Sequence, residues 1–310
     1  MAANPVIQTD NLTKVYKSGR ESVLALKNLN LSVQPGEIFG FLGPNGAGKT
    51  TTIRVLLDLI RPTKGHASIF GQDANLNSVA LHHRIGFLPG ELNLWKNLTG
   101  KQVVHYVASV RGDDGSMVKH AHELAEQLSL DFSKKVRAYS SGNRRKLGLV
   151  VSMMHKPDLL ILDEPTGGLD PLLQQTFNHM MLEARAAGRT VFLSSHVLGE
   201  VQAICDRVGI LRNGELKAVE RVDNLTHTNF HWVTLNFREA VAPEVVEQVP
   251  GVSEVVREDH SLRVRLSGDF DPLLRAVEKH YIVSVQTKEP TLEEIFLAFY
   301  GNNSSGEQTS

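Results

Sequence analysis

Residues Phe39–Ile60 read FGFLGPNGAGKTTTIRVLLDLI, and the fold follows from them. The apolar FGFL end predicts a strand, the glycine-rich middle a loop, and the stretch from Lys49 onward a helix that RPTKG stops. Within it, GPNGAGKT (Gly43 to Thr50) fills every fixed position of G-x-x-x-x-G-K-[ST], in the strand-to-helix setting that gives this pattern meaning. Gly43, Gly46 and Gly48 let the backbone curl until its N–H groups face phosphates. Lys49 is placed to reach β- and γ-phosphates, and the Thr50 hydroxyl to ligate Mg²⁺. A merely flexible turn leaves the flanking strand and helix unexplained.

Upstream, residues 6–42 read as strands, with VLALKNLNLSV alternating and QPGE turning the chain. Downstream, residues 76–155 read as mainly helical, broken by DDG at 113–115. DLLILDEP (158–165) is a continuous apolar run, the mark of a strand covered on both faces. Asp163 ends that strand and can hold Mg²⁺ through its water shell, while Glu164 can orient or deprotonate an attacking water. The plainer alternative for the two carboxylates is a strand-end cap. GRTVFLSSH (188–196) repeats the buried pattern, and DRVGILRNGELKAV (206–219) predicts a hairpin at Asn213-Gly214.

Past residue 222 the rhythm becomes β-α-β-β-α-β, the order of a ferredoxin-like unit. An amphipathic helix, TLEEIFLAFY (291–300), follows, and the polar tail at 301–310 is expected to be disordered. Lysine plus arginine (33) nearly balance aspartate plus glutamate (34), so no global field holds the chain on nucleic acid or an anionic bilayer. The single cysteine, Cys205, suits a reducing cytosol and reads as a small buried hydrophobe. No apolar run approaches the ~18 residues of a membrane span, and the N-terminus lacks a signal pattern. The expectation is a cytoplasmic protein that meets a membrane only through a partner. His82, His83, His120 and His122 read as polar helix positions, not zinc ligands.

A second anion site is legible in YSSGN (139–143), where small residues open a helix with free N–H groups. The cations after it, Arg144, Arg145 and Lys146, read either as part of that site or as a solvated helix face. GGLD (Gly167 to Asp170) follows the second buried strand, SSH ends the next, and no guanine-reading N-K-x-D segment occurs. In this order the motifs resemble those of the ATP-binding subunit of ABC transporters. YSSGN stands at the signature, GGLD at the D-loop and His196 at the switch histidine; Tyr16 matches the aromatic that stacks on adenine.

The resemblance implies an α/β fold: a P-loop NTPase core with an antiparallel β portion and a helical subdomain (about 90–155), together 5–221. A small α+β ferredoxin-like domain (222–300) then precedes the tail. ATP with Mg²⁺ is expected on Tyr16, Gly43, Pro44, Asn45, Gly46, Ala47, Gly48, Lys49, Thr50, Thr51 and Asp163, with Thr50 and Asp163 at the metal. Lys49, Glu164 and His196 are the expected catalytic group. Two such domains pair head to tail, so Ser140, Gly142 and Asp170 would serve ATP held by another subunit, in a homodimer or a heterodimer.

GFLPG, LDEPTGGLDP and EPTLEEIFLAFYG look like the ABC-2-type export branch. That branch implies a separate integral-membrane permease, a place on the cytoplasmic face of the membrane, and drugs, antibiotics or lipids as cargo. Ser141 and Asn143 depart from the signature by small polar changes. Gly90 stands where the family carries its Q-loop glutamine, and Glu91 is the nearest side chain that can substitute; the alternative for it is a solvated loop residue. A permease-free ATPase acting on DNA or ribosomes is the rival class. It fits less well, for the chain has no basic patch, coiled-coil insertion or tandem ATPase unit. A non-hydrolysing scaffold conflicts with intact Lys49, Asp163, Glu164 and His196.

Overall fold

Alternating apolar residues build two long antiparallel strands, β1 (Ile7–Ser18) and β2 (Glu21–Val33), in register from Ile7↔Val33. The computed structural model describes residues 4–19, 21–226 and 230–288, and the chain divides into two units, Met1–Val222 and Asp223–Ser310. In the first unit β3 (Ile38–Leu42) is buried throughout and feeds the glycine loop into α1 (Lys49–Leu56). The chain then returns to β1 through β4 (Lys64–Ile69) and β5 (Gln72–Asp73), completing an antiparallel sheet of order β2-β1-β4-β5.

Next come α2 (Ser78–Arg84), β6 (Ile85–Leu88), and three helices, α3 (Gly100–Val110), α4 (Ser116–Gln127) and α5 (Ser141–Met153). β7 (Leu159–Asp163), α6 (Pro171–Ala186), β8 (Thr190–Ser195), α7 (Leu198–Ile204), β9 (Arg207–Arg212) and β10 (Glu215–Arg221) follow. The second sheet has order β10-β9-β3-β8-β7-β6. Its strands from β9 to β6 are parallel, and only β10 runs antiparallel. Every residue of β3, β7 and β8 is buried, which is why Ile38–Leu42, Leu159–Leu162 and Val191–Leu193 run without polar alternation. Ile7, Leu29, Phe39, Phe41, Ile53, Ile161 and Phe192 share one core. The rings of Phe39 and Phe192 stack at 6.0 Å.

The helical expectation for 76–155 needs one correction, because Ile85–Leu88 is a strand paired with β7 (Ile85↔Leu159). Four apolar residues are too few to carry a period, so strand and helix are indistinguishable there. β10 turns back on β9 at Asn213 (φ 50°) and Gly214 (φ 77°), the paired left-handed conformation of a tight hairpin.

A short helix α8 (Val222–Thr226) leads to the second unit. There β11 (Phe230–Phe237), α9 (Glu244–Glu247), β12 (Val252–Glu258), β13 (Ser261–Ser267), α10 (Asp271–Ala276) and β14 (Ile282–Lys288) form a sheet of order β12-β13-β11-β14. All its pairings are antiparallel, and the order is ferredoxin-like. Val233, Leu235, Leu262, Val264 and Leu266 on one face of the sheet, with Val246 and Leu273, make a core of its own. The helix expected at TLEEIFLAFY and the tail lie outside the described residues.

Candidate active site

The loop between β3 and α1 lies at the C-terminal end of parallel strands, where open α/β sheets bind ligands. Its glycines answer two close approaches. A Cβ at Gly43 would meet the Leu211 carbonyl at 2.4 Å, and one at Gly48 (φ 111°) the Ala25 carbonyl at 2.7 Å. Gly48 caps α1 without any side-chain bond, so the helix N-terminus keeps its free N–H groups for an anion. Lys49 is 6% exposed, and its ammonium donates to the carbonyls of Gly43 (2.6 Å) and Pro44 (3.2 Å). Pro44, Asn45 and Gly46 form the exposed rim, and Ala47 is buried beneath it. Tyr16 is 38% exposed, and its hydroxyl lies 3.5 Å from Thr51 Oγ1.

The end of β7 meets this loop. Asp163, 3% exposed, accepts hydrogen bonds from Thr50 (2.9 Å, Oδ2) and from Ser194 on β8 (2.6 Å, Oδ1). Glu164 Oε1 lies 3.2 Å from Lys49 Nζ, and Oε2 lies 2.8 Å from His196 Nδ1. The Lys49 contact is an ion pair without hydrogen-bond alignment, so Oε1 is buried with its acceptor capacity unused. Glu164 itself has φ 48°, a left-handed conformation that costs a non-glycine residue about 1–3 kcal/mol unless its surroundings hold it. Here its N–H donates to Ser194 Oγ (3.0 Å) and its carbonyl accepts from Arg145.

The signature and D-loop residues gather in a second group. Ser140 caps α5, its Oγ accepting from Asn143 N at 3.2 Å, which leaves the hydroxyl proton free to donate. A Cβ on Gly142 would lie 3.3 Å from the Gly168 carbonyl, so the signature and GGLD are neighbours. Asp170 caps α6 by accepting from Leu173 N at 3.0 Å. Among the described residues, no hydrogen bond or ion pair joins Ser140, Gly142 or Asp170 to Lys49, Thr50, Asp163, Glu164 or His196. The link between the two sets runs through the main chain, Gly167 N–H donating to the Glu164 carbonyl at 3.2 Å.

Two expectations for Arg145 and Lys146, anion contact and a solvated face, are corrected together: these side chains are 5% and 8% exposed. α5 is packed from Arg145 to Val150, so neither can reach solvent or an incoming anion. Gly90 does stand beside the Asp163 carboxylate, since a Cβ there would be 3.3 Å from Asp163 Oδ2. Glu91 is exposed and makes no hydrogen bond or ion pair among the described residues. Ser194, on which no sequence motif rests by itself, bridges Asp163 and the Glu164 amide. Glu200, outside the motifs, accepts from Thr166 and Ser195 at 2.6 Å each and so ties the residues after β7 to those before His196. The SSH triplet was the available signal for both serines.

A glycine loop joining a buried parallel strand to a helix, with two carboxylates at the end of the next strand but one in the same sheet, defines a P-loop nucleoside triphosphatase. A family model described as ABC transporter matches residues 26–167, and one described as ATP-binding protein DrrA1-3-like, C-terminal domain, matches 215–300. The bacitracin transport ATP-binding protein of Bacillus licheniformis is 32% identical, over 97% of this chain and 99% of that protein. The linearmycin resistance ATP-binding protein of Bacillus subtilis is 31% identical, over 96% and 98%. A solved dimeric ATP-binding cassette in a post-hydrolysis state, bound to ADP and Pi, superposes with a TM-score of 0.65 at 25% identity, over 70% of this chain and 98% of that one. The chain belongs to the ATP-binding subunits of ABC transporters. It is an ATPase whose hydrolysis of ATP powers transport.

Proposed function

We propose that this chain is one half of a head-to-tail pair of ATPase subunits that drives export through a separate integral-membrane permease. The convergence of Lys49, Thr50, Asp163, Glu164 and His196 at one end of the parallel sheet carries the reading. Gly43–Thr51 cradle the phosphates of ATP, and Tyr16 stacks on adenine. Lys49 exchanges its contacts with Glu164 and the Gly43 carbonyl for the β- and γ-phosphates. Glu164 takes a proton from the water that attacks the γ-phosphorus, the bond to the β–γ bridging oxygen breaks, and ADP and phosphate leave. His196 holds Glu164 Oε2 so that Oε1 faces the water. Ser140, Gly142 and Asp170 serve the ATP of the other subunit.

Thr50 and Asp163 fit Mg²⁺: both supply hard oxygen donors, and their Oγ1 and Oδ2 already lie 2.9 Å apart. No group of three or more histidine, cysteine or acidic ligands occurs among the described residues, which suits an ion completed by water and substrate phosphates. When bound, such an ion neutralises charge on the β- and γ-oxygens.

No helix among the described residues is long and apolar enough to cross a membrane, so transport needs a membrane partner. Its docking place is a cavity of about 300 Å³ whose apolar part is Leu57, Leu59, Phe87, Val107 and Val151 and whose polar part includes His82, Arg111 and His155. Leu59, Tyr106 and Val110 near it are at least half exposed. Burial pushes the His155 imidazole down to about 4, so it is neutral near pH 7, and its buried Nδ1 lacks a partner. A largely apolar cytoplasmic segment of the permease, with an acceptor for Arg111, fills such a place. Leu59→Asp is expected to abolish permease-stimulated ATPase and spare the basal rate; stimulation at the wild-type level excludes this groove. The relatives' roles in bacitracin transport and linearmycin resistance support export of drugs or antibiotics from the cytoplasmic side.

The residues after 222 act as an accessory domain that supports pairing or coupling, since the sheet there has its own core and no catalytic cluster among the described residues. Truncation after Val222 is expected to leave ATP affinity unchanged while weakening dimerisation or permease coupling. Equilibrium titration of the folded truncation checks this, and lost ATP affinity contradicts it.

A further inference from the structure

The geometry points to Arg145 as a positioning residue for hydrolysis, one that locks the Glu164 main chain and the Pro89–Gly90 loop to the signature helix. This inference rests on Glu164 acting as the base.

Arg145 is buried on α5, five residues after the Ser140 cap. Nε donates to the Pro165 carbonyl (3.0 Å), and Nη1 to those of Pro89 (2.8 Å) and Gly90 (3.0 Å). Nη2 donates to the carbonyls of Asp163 (2.8 Å) and Glu164. These acceptors match the five N–H groups of a guanidinium, and all are main-chain oxygens. Among the described residues Arg145 forms no ion pair with a carboxylate. Its charge is met by carbonyl dipoles, with Asp163 and Glu164 contributing at longer range.

A buried cation placed this way does a specific job. It takes the carbonyls of three consecutive residues, Asp163, Glu164 and Pro165, and so helps to hold Glu164 at φ 48° from the carbonyl side while Ser194 holds it from the amide side. It also tethers the loop that passes Asp163 at Gly90, a residue with no side chain to make its own contact. Because Arg145 rides on α5, a shift of the signature helix on meeting the partner's ATP reaches Glu164 within one side chain. Lysine keeps the charge but has three donors on a point-like head, so it cannot span both segments.

The test uses full-length Arg145→Lys and Arg145→Gln, with kcat, KM for ATP, equilibrium ATP affinity and Tm measured for each. The expected result is a kcat lowered by about 10- to 100-fold in both, the scale of a small misplacement of a catalytic group, with KM and ATP affinity unchanged. Lysine is expected to rescue little. Wild-type kcat in either folded variant overturns the proposal. So does a parallel loss of ATP affinity and kcat, or failure of both variants to fold, either of which makes Arg145 a structural clamp alone. If Glu164→Gln abolishes turnover while the Arg145 variants do not, Arg145 falls and the base assignment stands. Wild-type turnover in Glu164→Gln removes the base assignment itself.

Discussion

Glu164→Gln retains ATP binding and loses turnover by about 10²- to 10⁴-fold, the usual contribution of a positioned general base. Glutamine matches glutamate in shape, so the left-handed backbone and its bonds to Ser194 and Arg145 survive. What disappears is the carboxylate that takes the proton of the attacking water. The substitution also removes the charge that Lys49 Nζ meets at 3.2 Å, so ATP no longer competes with the Glu164 carboxylate for the ammonium. Affinity is therefore expected to equal or exceed that of wild type. Steady-state phosphate release, compared with equilibrium ATP binding, checks both halves. Hydrolysis at the wild-type rate would take the base role away from Glu164.

The parts of the fold legible in the sequence are those where chemistry restricts residue type. The glycine loop was readable because carbonyls of Leu211 and Ala25 crowd positions 43 and 48. β7 and β8 were readable from the unbroken apolar stretches Leu159–Leu162 and Val191–Leu193, the pattern of strands covered on both faces. The C-terminal sheet was readable from its turns and alternation. β6 was not, since four apolar residues at a sheet edge carry no period. β4 was not either, because its first three residues are exposed and show no apolar run.

The site divides in the same way. Asp163 and Glu164 stand out because paired carboxylates rarely end an apolar strand without a task. Arg145 sits in a basic triplet that reads as surface, and only the packing of α5 against Leu88, Leu92 and the end of β7 turns it inward. Ser194 and Glu200 are ordinary polar residues whose importance lies in their partners, and partners appear only once the strands are adjacent. Gly90 was legible as a missing side chain, whereas the main-chain bonds that Arg145 makes there were not.

Ser140→Arg blocks ATP-driven dimerisation in the Glu164→Gln background while ATP still binds at Gly43–Thr50. The reason is that Ser140 makes no hydrogen bond or ion pair to Lys49 or Glu164 of its own chain among the described residues. Ser140 also caps α5 with its hydroxyl proton unspent, a donor suited to a γ-phosphate from elsewhere. The most direct measurement mixes Lys49→Ala with Ser140→Arg, both in the Glu164→Gln background, and counts trapped ATP in the purified mixed dimer. That dimer pairs the intact phosphate loop of one chain with the intact signature of the other. The predicted count is one ATP per mixed dimer, and no ATP-driven dimer from either variant alone. A Ser140→Arg chain that dimerises normally with ATP, or a mixed dimer that traps none, contradicts the composite site.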